Sequence, residues 1–248
     1  MTEVYLILGT PGSGRREIVF DLIDDGLPSD QPVNVILSST EAESPEDERL
    51  AALPQVELIE REDSGLAPAP DAGAVVFYLA DGSADFRDEI ETFKRWLDST
   101  GAVLQRVITV IDCALAEQHA ALAPWFEALI HFSDCVLLNR RENVGNKWIR
   151  DFEQSFKKRH FPCLFEMVKK GRVANPPQIL HPEPRRLSHV FDDLDAIDSL
   201  ELDDEELPDE IIDLTPKADA YLVRLPSGHR EIALPDIREH LPSPESEA

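Results

Sequence analysis

Short apolar runs alternate with longer stretches in which apolar residues recur every three or four positions. Val4–Leu8 (VYLIL), Val33–Leu37 (VNVIL), Val56–Ile59 (VELI), Ala74–Leu79 (AVVFYL), Arg106–Ile111 (RVITVI), Cys135–Leu138 (CVLL) and Cys163–Val168 are rich in β-formers and poor in charge. Such runs have the length and composition of strands buried on both faces. Between them, Arg15–Asp24 places Ile18, Val19, Leu22 and Ile23 at helical spacing, and Phe86–Ser99 does the same with Ile90, Phe93 and Leu97. Leu115–His131 and Trp148–Arg159 also read as helices, and Glu41–Leu53 as a short acidic helix opened by Ser44-Pro45. Strands without internal polar residues, alternating with helices, predict an α/β domain: a mainly parallel sheet with helices on both faces.

The texture changes past Gly171, where this domain, residues 1–171, is expected to end. Residues 172–219 read as a linker, proline-rich over Asn175–Pro184 and dense in Asp and Glu over Phe191–Leu214. A run with that charge density and no basic residue is either loosely ordered or, through its interspersed Leu and Ile, a docking element for a protein partner. In residues 220–248, β-formers flank Pro226-Ser227-Gly228, which predicts a small terminal hairpin and tail.

The chain has 248 residues, 42% of them hydrophobic, enough for one good-sized core and a small appendage. Its formal net charge of -25 argues against nucleic acid and against anionic membrane surfaces as partners. The basic residues cluster instead between Arg140 and Arg186, next to the acidic run. The two segments are expected to meet electrostatically, either as a simple contact or with the acidic run covering a basic-lined mouth. Cys113, Cys135 and Cys163 are odd in number and far apart, and two lie within apolar runs, so buried thiols in a reducing compartment are expected. The first apolar run is too short for a membrane span and has no positive region before it; the expected location is the cytoplasm.

The candidate chemistry follows the first strand. Gly9–Arg16 (GTPGSGRR) compares with the phosphate-binding loop G-x-x-x-x-G-K-[ST]: Gly9 and Gly14 keep the spacing, between a strand and a helix. In such a loop, with Pro11, Gly12 and Ser13 at its turn, backbone N–H groups and the helix N-terminus make a nest for phosphate oxygens. The last two positions depart. Arg15 stands for the lysine and can still pair with phosphate. Arg16 stands for the hydroxyl that holds magnesium, and a guanidinium is no metal ligand. The loop is therefore either a working phosphate site or a retained turn without ligand.

Together with VITVID, ending at Asp112, and FSDCVLLNRRENV (Phe132–Val144), this loop resembles the CobW/HypB/UreG nucleotide-binding family, the G3E-type P-loop GTPases. The resemblance covers about residues 4–170, with three partial motifs in the family's order. It implies that Asn139, Arg140 and Glu142 stand for the guanine-reading N-K-x-D, with Arg140 for the lysine and Glu142 for the aspartate. It also implies that Asp81 or Asp112 lies near a magnesium ion or its waters, Asp81-Gly82 being otherwise a turn and Asn139 a strand-end residue. Glu41 falls where the family has an acidic pair after the second strand. The family's G-C-x-C-C metal motif is replaced by Glu60–Gly65, without cysteine, and the seven histidines lack zinc-site spacing, so no zinc site is expected. Two functional readings stay open. One is a CobW-like protein binding GTP or ATP with magnesium, with weak or no hydrolysis. The other is a pseudo-NTPase that docks a protein partner through its acidic C-terminal third.

Overall fold

The computed structural model describes residues 2–62, 66–192 and 218–241. Seven strands form one sheet: β1 (Glu3–Gly9), β2 (Val33–Ser38), β3 (Val56–Arg61), β4 (Val75–Leu79), β5 (Val103–Asp112), β6 (Cys135–Asn139) and β7 (Leu164–Met167). The order is β3-β2-β4-β1-β5-β6-β7, and every pairing is parallel. The chain is thus an α/β protein with an all-parallel sheet, as the alternation of apolar runs and amphipathic stretches predicts. From central β1 the chain moves out to β2 and β3, returns through β4, and crosses over to β5, β6 and β7. This reversal places β1 at a switch point, where the carboxyl ends of the strands border a crevice.

Each face of the sheet is covered. On one face Tyr5, Ile7, Val35, Phe77, Val110 and Leu137 pack against Ile18, Val19, Leu22 and Ile23 of α1 (Arg15–Gly26). Leu50 of α2 (Pro45–Ala51) joins the same core. On the other face Tyr78 packs against Phe93 and Trp96 of α3 (Phe86–Thr100), with ring centroids 4.9 and 5.3 Å away. The period-2 alternation along each strand is what delivers two cores from one sheet. Edge strands β3 and β7 are only partly buried, and β3 carries the polar Glu57 and Glu60 in its interior.

The helical stretch expected over Leu115–His131 is interrupted. It becomes α4 (Cys113–Gln118), a 3₁₀ turn at Ala120–Leu122, and α5 (Ala123–His131), with Pro124 in the first turn of α5. Proline lacks the N–H that a continuous helix would need there. The next helix, α6, spans Asn146–Lys157.

The chain divides into two compact units, Met1–Leu187 with Leu234–Ala248, and Ser188–Ala233. The first unit extends beyond the boundary expected near 171. A further helix, α7 (Pro176–Leu180), packs on α1, and the Tyr5 hydroxyl donates to the Leu180 carbonyl at 2.7 Å. Buried Asp134 accepts from the backbone N–H groups of Arg185 and Arg186 at 2.6 and 3.0 Å, which fastens the following segment to the start of β6. In the second unit, the strands expected around Pro226–Gly228 reduce to one antiparallel bridge between Arg224 and Arg230. Apart from Phe191 and Asp192, the acidic run lies outside the described residues.

The three cysteines are buried and free, and burial pushes each thiol up to about 12. Among the described residues no helix is long and apolar enough to cross a membrane.

Candidate functional site

The carboxyl ends of β4, β1, β5 and β6 bring Asp81, the Gly9–Arg16 loop, Asp112 and Asn139 to one edge of the sheet. The loop curls through three glycines with positive φ: Gly9 at 138°, Gly12 at 76° and Gly14 at 90°. Gly14 is the N-cap of α1, and no side chain caps that helix. The first N–H groups of α1 therefore lack an intrahelical or side-chain acceptor, the arrangement that favours an anion. The Ser13 hydroxyl donates to the Thr10 carbonyl at 2.7 Å and closes the turn. Thr10 is buried, and its Oγ1 has no hydrogen-bond partner.

The residues expected to read a base are tied to this loop. Asn139, buried at the end of β6, donates through Nδ2 to the Ser13 carbonyl at 2.8 Å. Arg140, with φ at 52°, donates through Nε to the Gly12 carbonyl at 3.0 Å, and its guanidinium lies 3.8 Å from Glu17. Glu142 is exposed in the turn that follows. The structure thus brings Asn139 and Arg140 against the loop and leaves Glu142 at the surface, while Pro11 and Gly12 form the loop's outer rim.

Arg15, which runs beside Gly9, and Arg16 reach toward the ends of β2 and β4. Buried Arg15 donates to the Ala80 carbonyl and pairs with the Glu41 carboxylate. Arg16 pairs with Asp47 at 2.9 Å, donates to the Ala42 carbonyl at 2.8 Å, and lies 3.6 Å from Glu41. Glu41 also accepts the Gly82 N–H at 2.6 Å. Gly82 has to be glycine: a Cβ there would lie 2.5 Å from the Gly9 carbonyl and 2.7 Å from the Arg15 guanidinium.

The magnesium expected near Asp81 or Asp112 does not fit these donors. One Asp81 oxygen accepts from the Thr40 hydroxyl and, at 3.4 Å, from Ser38; the other accepts from the Ser83 N–H and hydroxyl at 2.8 and 2.7 Å. Burial pushes the Asp81 carboxyl up, yet the hydrogen bonds from Ser83, Thr40 and Ala84 outweigh it and the pKa is lowered. Both oxygens are therefore committed within the protein. Asp112 caps α4, accepting the Leu115 N–H at 2.9 Å, and burial, opposed by those cap bonds, raises its pKa. Arg16 holds the position of the hydroxyl ligand and is itself cationic. Among the described residues, no group of three or more His, Cys, Asp or Glu is placed to hold a metal ion.

Beneath Asp81 is a buried pair that the sequence did not single out. Arg61, at the end of β3, donates to Glu89 of α3 at 2.5 Å, and Glu89 accepts the Asp81 N–H at 2.8 Å. The readable signal was Glu89 itself, three residues after Phe86 and beside Ile90 on the apolar stripe of α3.

Several cations of the basic segment are engaged close to home. Arg141 donates to the Val168 carbonyl at 2.7 Å, Arg159 pairs with Glu127 at 2.7 Å, and Arg172 with Asp25 at 3.1 Å. A separate cavity of about 440 Å³ is lined by Glu117, Trp148, Asp151 and Phe152, among others, and by no residue of the glycine loop.

No family model and no curated protein matches the chain. Solved structures do match. The zinc-bound YjiA GTPase from E. coli is 14% identical, over 74% of this chain and 66% of that one, with a TM-score of 0.47. The signal recognition particle receptor FtsY from Elizabethkingia anophelis in complex with GDP is 13% identical, over 78% and 65%, with a TM-score of 0.49. FtsY from Mycoplasma mycoides is 11% identical, over 69% and 62%, with a TM-score of 0.48. The chain spans just under two thirds of the length of these proteins.

Proposed function

We propose that this chain binds a nucleoside phosphate, GTP-type or ATP-type, at the Gly9–Arg16 loop and hydrolyses it weakly or not at all. The observation that carries the reading is the preformed loop: three left-handed glycines lead into an uncapped helix at the sheet's switch point, and Asn139 and Arg140 brace it from β6. Loop amides and the N-terminus of α1 would hold the phosphates. The exposed Glu142 carboxylate is the polar group this end of β6 would offer to a base.

Weak turnover follows from the same residues. Phosphoryl transfer in this class depends on a metal that bridges the outer phosphates and on a basic residue aimed at them. Arg16 offers no hydroxyl to such a metal, and Asp81 has no oxygen to spare. A second reading is favoured by the pairing of Arg15 and Arg16 with Glu41 and Asp47: the site is sealed internally, and the domain serves as a scaffold for a protein partner of the acidic C-terminal third.

Calorimetric and thermal-shift titrations with GTP, GDP, ATP and ADP separate the two. A ligand that binds only the native state raises the melting temperature by mass action. Saturable binding that Gly14→Val abolishes supports the first reading. No heat and no shift at millimolar nucleotide overturns it and leaves the scaffold.

A further inference from the structure

We infer that Glu41 is a built-in anion in the place of the outermost phosphate, so that the site takes a nucleoside diphosphate, without a divalent cation, in preference to a triphosphate. The inference rests on the nucleotide-binding reading above and specifies its ligand.

The donors around Glu41 carry the argument. One carboxylate oxygen accepts from the guanidinium of Arg15 and from the Gly82 N–H, and the other lies 3.6 Å from the guanidinium of Arg16. A cationic side chain directly after the loop, a backbone N–H at the end of the neighbouring strand and a second cation are a donor set for a terminal phosphoryl oxygen. Charge-assisted bonds of this kind serve carboxylate and phosphate alike. In phosphate-binding loops the basic residue after the last glycine reaches the outer phosphates, while the loop amides cradle the inner ones. Here that residue is held by Glu41, whose side chain is only 9% exposed.

A triphosphate would have to expel this carboxylate or share its donors. Sharing sets two anions against each other at contact distance in a partly buried site, where water screens them poorly. Expelling it breaks the Glu41 contacts with Arg15 and the Gly82 N–H and displaces a carboxylate whose side chain is only 9% exposed. A diphosphate avoids both costs. It needs only the loop amides and the uncapped N-terminus of α1, which Glu41 does not use. The cation requirement falls for the same reason. The metal normally offsets the charge of the outer phosphates, and here Arg15 and Arg16 already offset an anion that belongs to the protein.

The test is isothermal titration of the full chain with GDP, GTP, ADP and ATP, each in magnesium and in excess EDTA. Wild type, Glu41→Gln and Glu41→Asp are compared, with melting curves confirming that each variant is folded. Glu41→Gln keeps the shape and removes the charge, and Glu41→Asp withdraws the carboxylate by one methylene. The expected result is diphosphate binding at least about tenfold tighter than triphosphate binding in wild type and unchanged by EDTA. Either variant should narrow that ratio to about threefold or less by tightening the triphosphate. Equal or tighter triphosphate binding in wild type, loss of diphosphate binding in EDTA, or an unchanged ratio in both variants overturns the inference while leaving nucleotide binding in place. Absence of binding by every nucleotide to every variant overturns the nucleotide-binding reading itself, and the inference with it.

Discussion

Asn139 and Gly14 sit so close that they constrain each other: a Cβ on Gly14 would lie 2.4 Å from Asn139 Nδ2, the atom that donates to the Ser13 carbonyl. The end of β6 is thereby fastened to the loop after β1 across 126 residues of sequence. Asn139→Ala leaves the buried Ser13 carbonyl without its donor, which costs about 1–3 kcal/mol. For a chain of this size that lowers the melting temperature by roughly 2–4 °C per kcal/mol. Differential scanning calorimetry reads the change directly, and a variant as stable as wild type would remove Asn139 from the loop's support.

The same closeness predicts strong coupling. Gly14→Ala forces a side chain into a φ of 90°, at a cost of about 1–3 kcal/mol, and drives it against Asn139. In Gly14→Ala/Asn139→Ala the opposing amide is gone, so the double variant should be less destabilised than the sum of the singles. A double-mutant cycle in urea should show an interaction of at least about 0.5 kcal/mol. Strict additivity would mean that backbone strain alone accounts for the glycine.

How much of this was readable beforehand depended on the range of the interaction. Each of the seven strands is announced by its own apolar run, and the loop by its glycines, because both are local patterns. The break between α4 and α5 is not visible in the apolar spacing of Leu115–His131, although Pro124 carries a local signal for it. The destinations of Arg15 and Arg16 were not legible: Glu41 and Asp47 lie 26 and 31 positions away, and only the sheet order, with β2 and β4 on the same side of β1, sets them beside the loop. Whether Asp81 and Asp112 could serve a metal was not legible for a related reason. Residue type and strand-end position identify an acid near the site, but whether its oxygens are free depends on Thr40 and Ser83 for one and on the α4 N-terminus for the other.

Those two acids should respond to pH with opposite sign. The folded-state pKa of Asp81 is lowered, so its ionised form contributes stability above the unfolded value, about 3.9, and that contribution is lost as pH falls through the folded value. The folded-state pKa of Asp112 is raised, because burial outweighs its cap bonds. Its contribution is present in full below the unfolded value and declines as pH rises through the folded one. The stability difference between wild type and Asp81→Asn should therefore grow from about pH 3.5, within the carboxylate range, to about pH 7. Between wild type and Asp112→Asn it should shrink over the same interval. Urea midpoints at the two ends decide the matter, and two differences moving in the same direction would contradict the assigned environments.

The buried Arg61–Glu89 pair gives the clearest energetic test, because it positions the strand end at Asp81 without belonging to the loop. Burial pushes the Glu89 carboxyl up; the Arg61 guanidinium and the Asp81 N–H oppose this, and the net shift remains upward. Removing one partner leaves the other as an unmatched buried charge, which costs about 3–5 kcal/mol. Glu89→Leu should approach that figure, since Arg61 has a side chain only 1% exposed and its Nε already lacks an acceptor. Removing both charges is different. In Arg61→Met/Glu89→Leu no buried charge remains, and the pair's desolvation cost disappears together with its attraction, so much of the stability should return. It should not return completely, because the Asp81 N–H would still be without the acceptor it now has at 2.8 Å. Urea unfolding of the two single variants and the double variant separates these contributions. A double variant as unstable as Glu89→Leu would mean that the Asp81 N–H, rather than the stranded guanidinium, sets the cost.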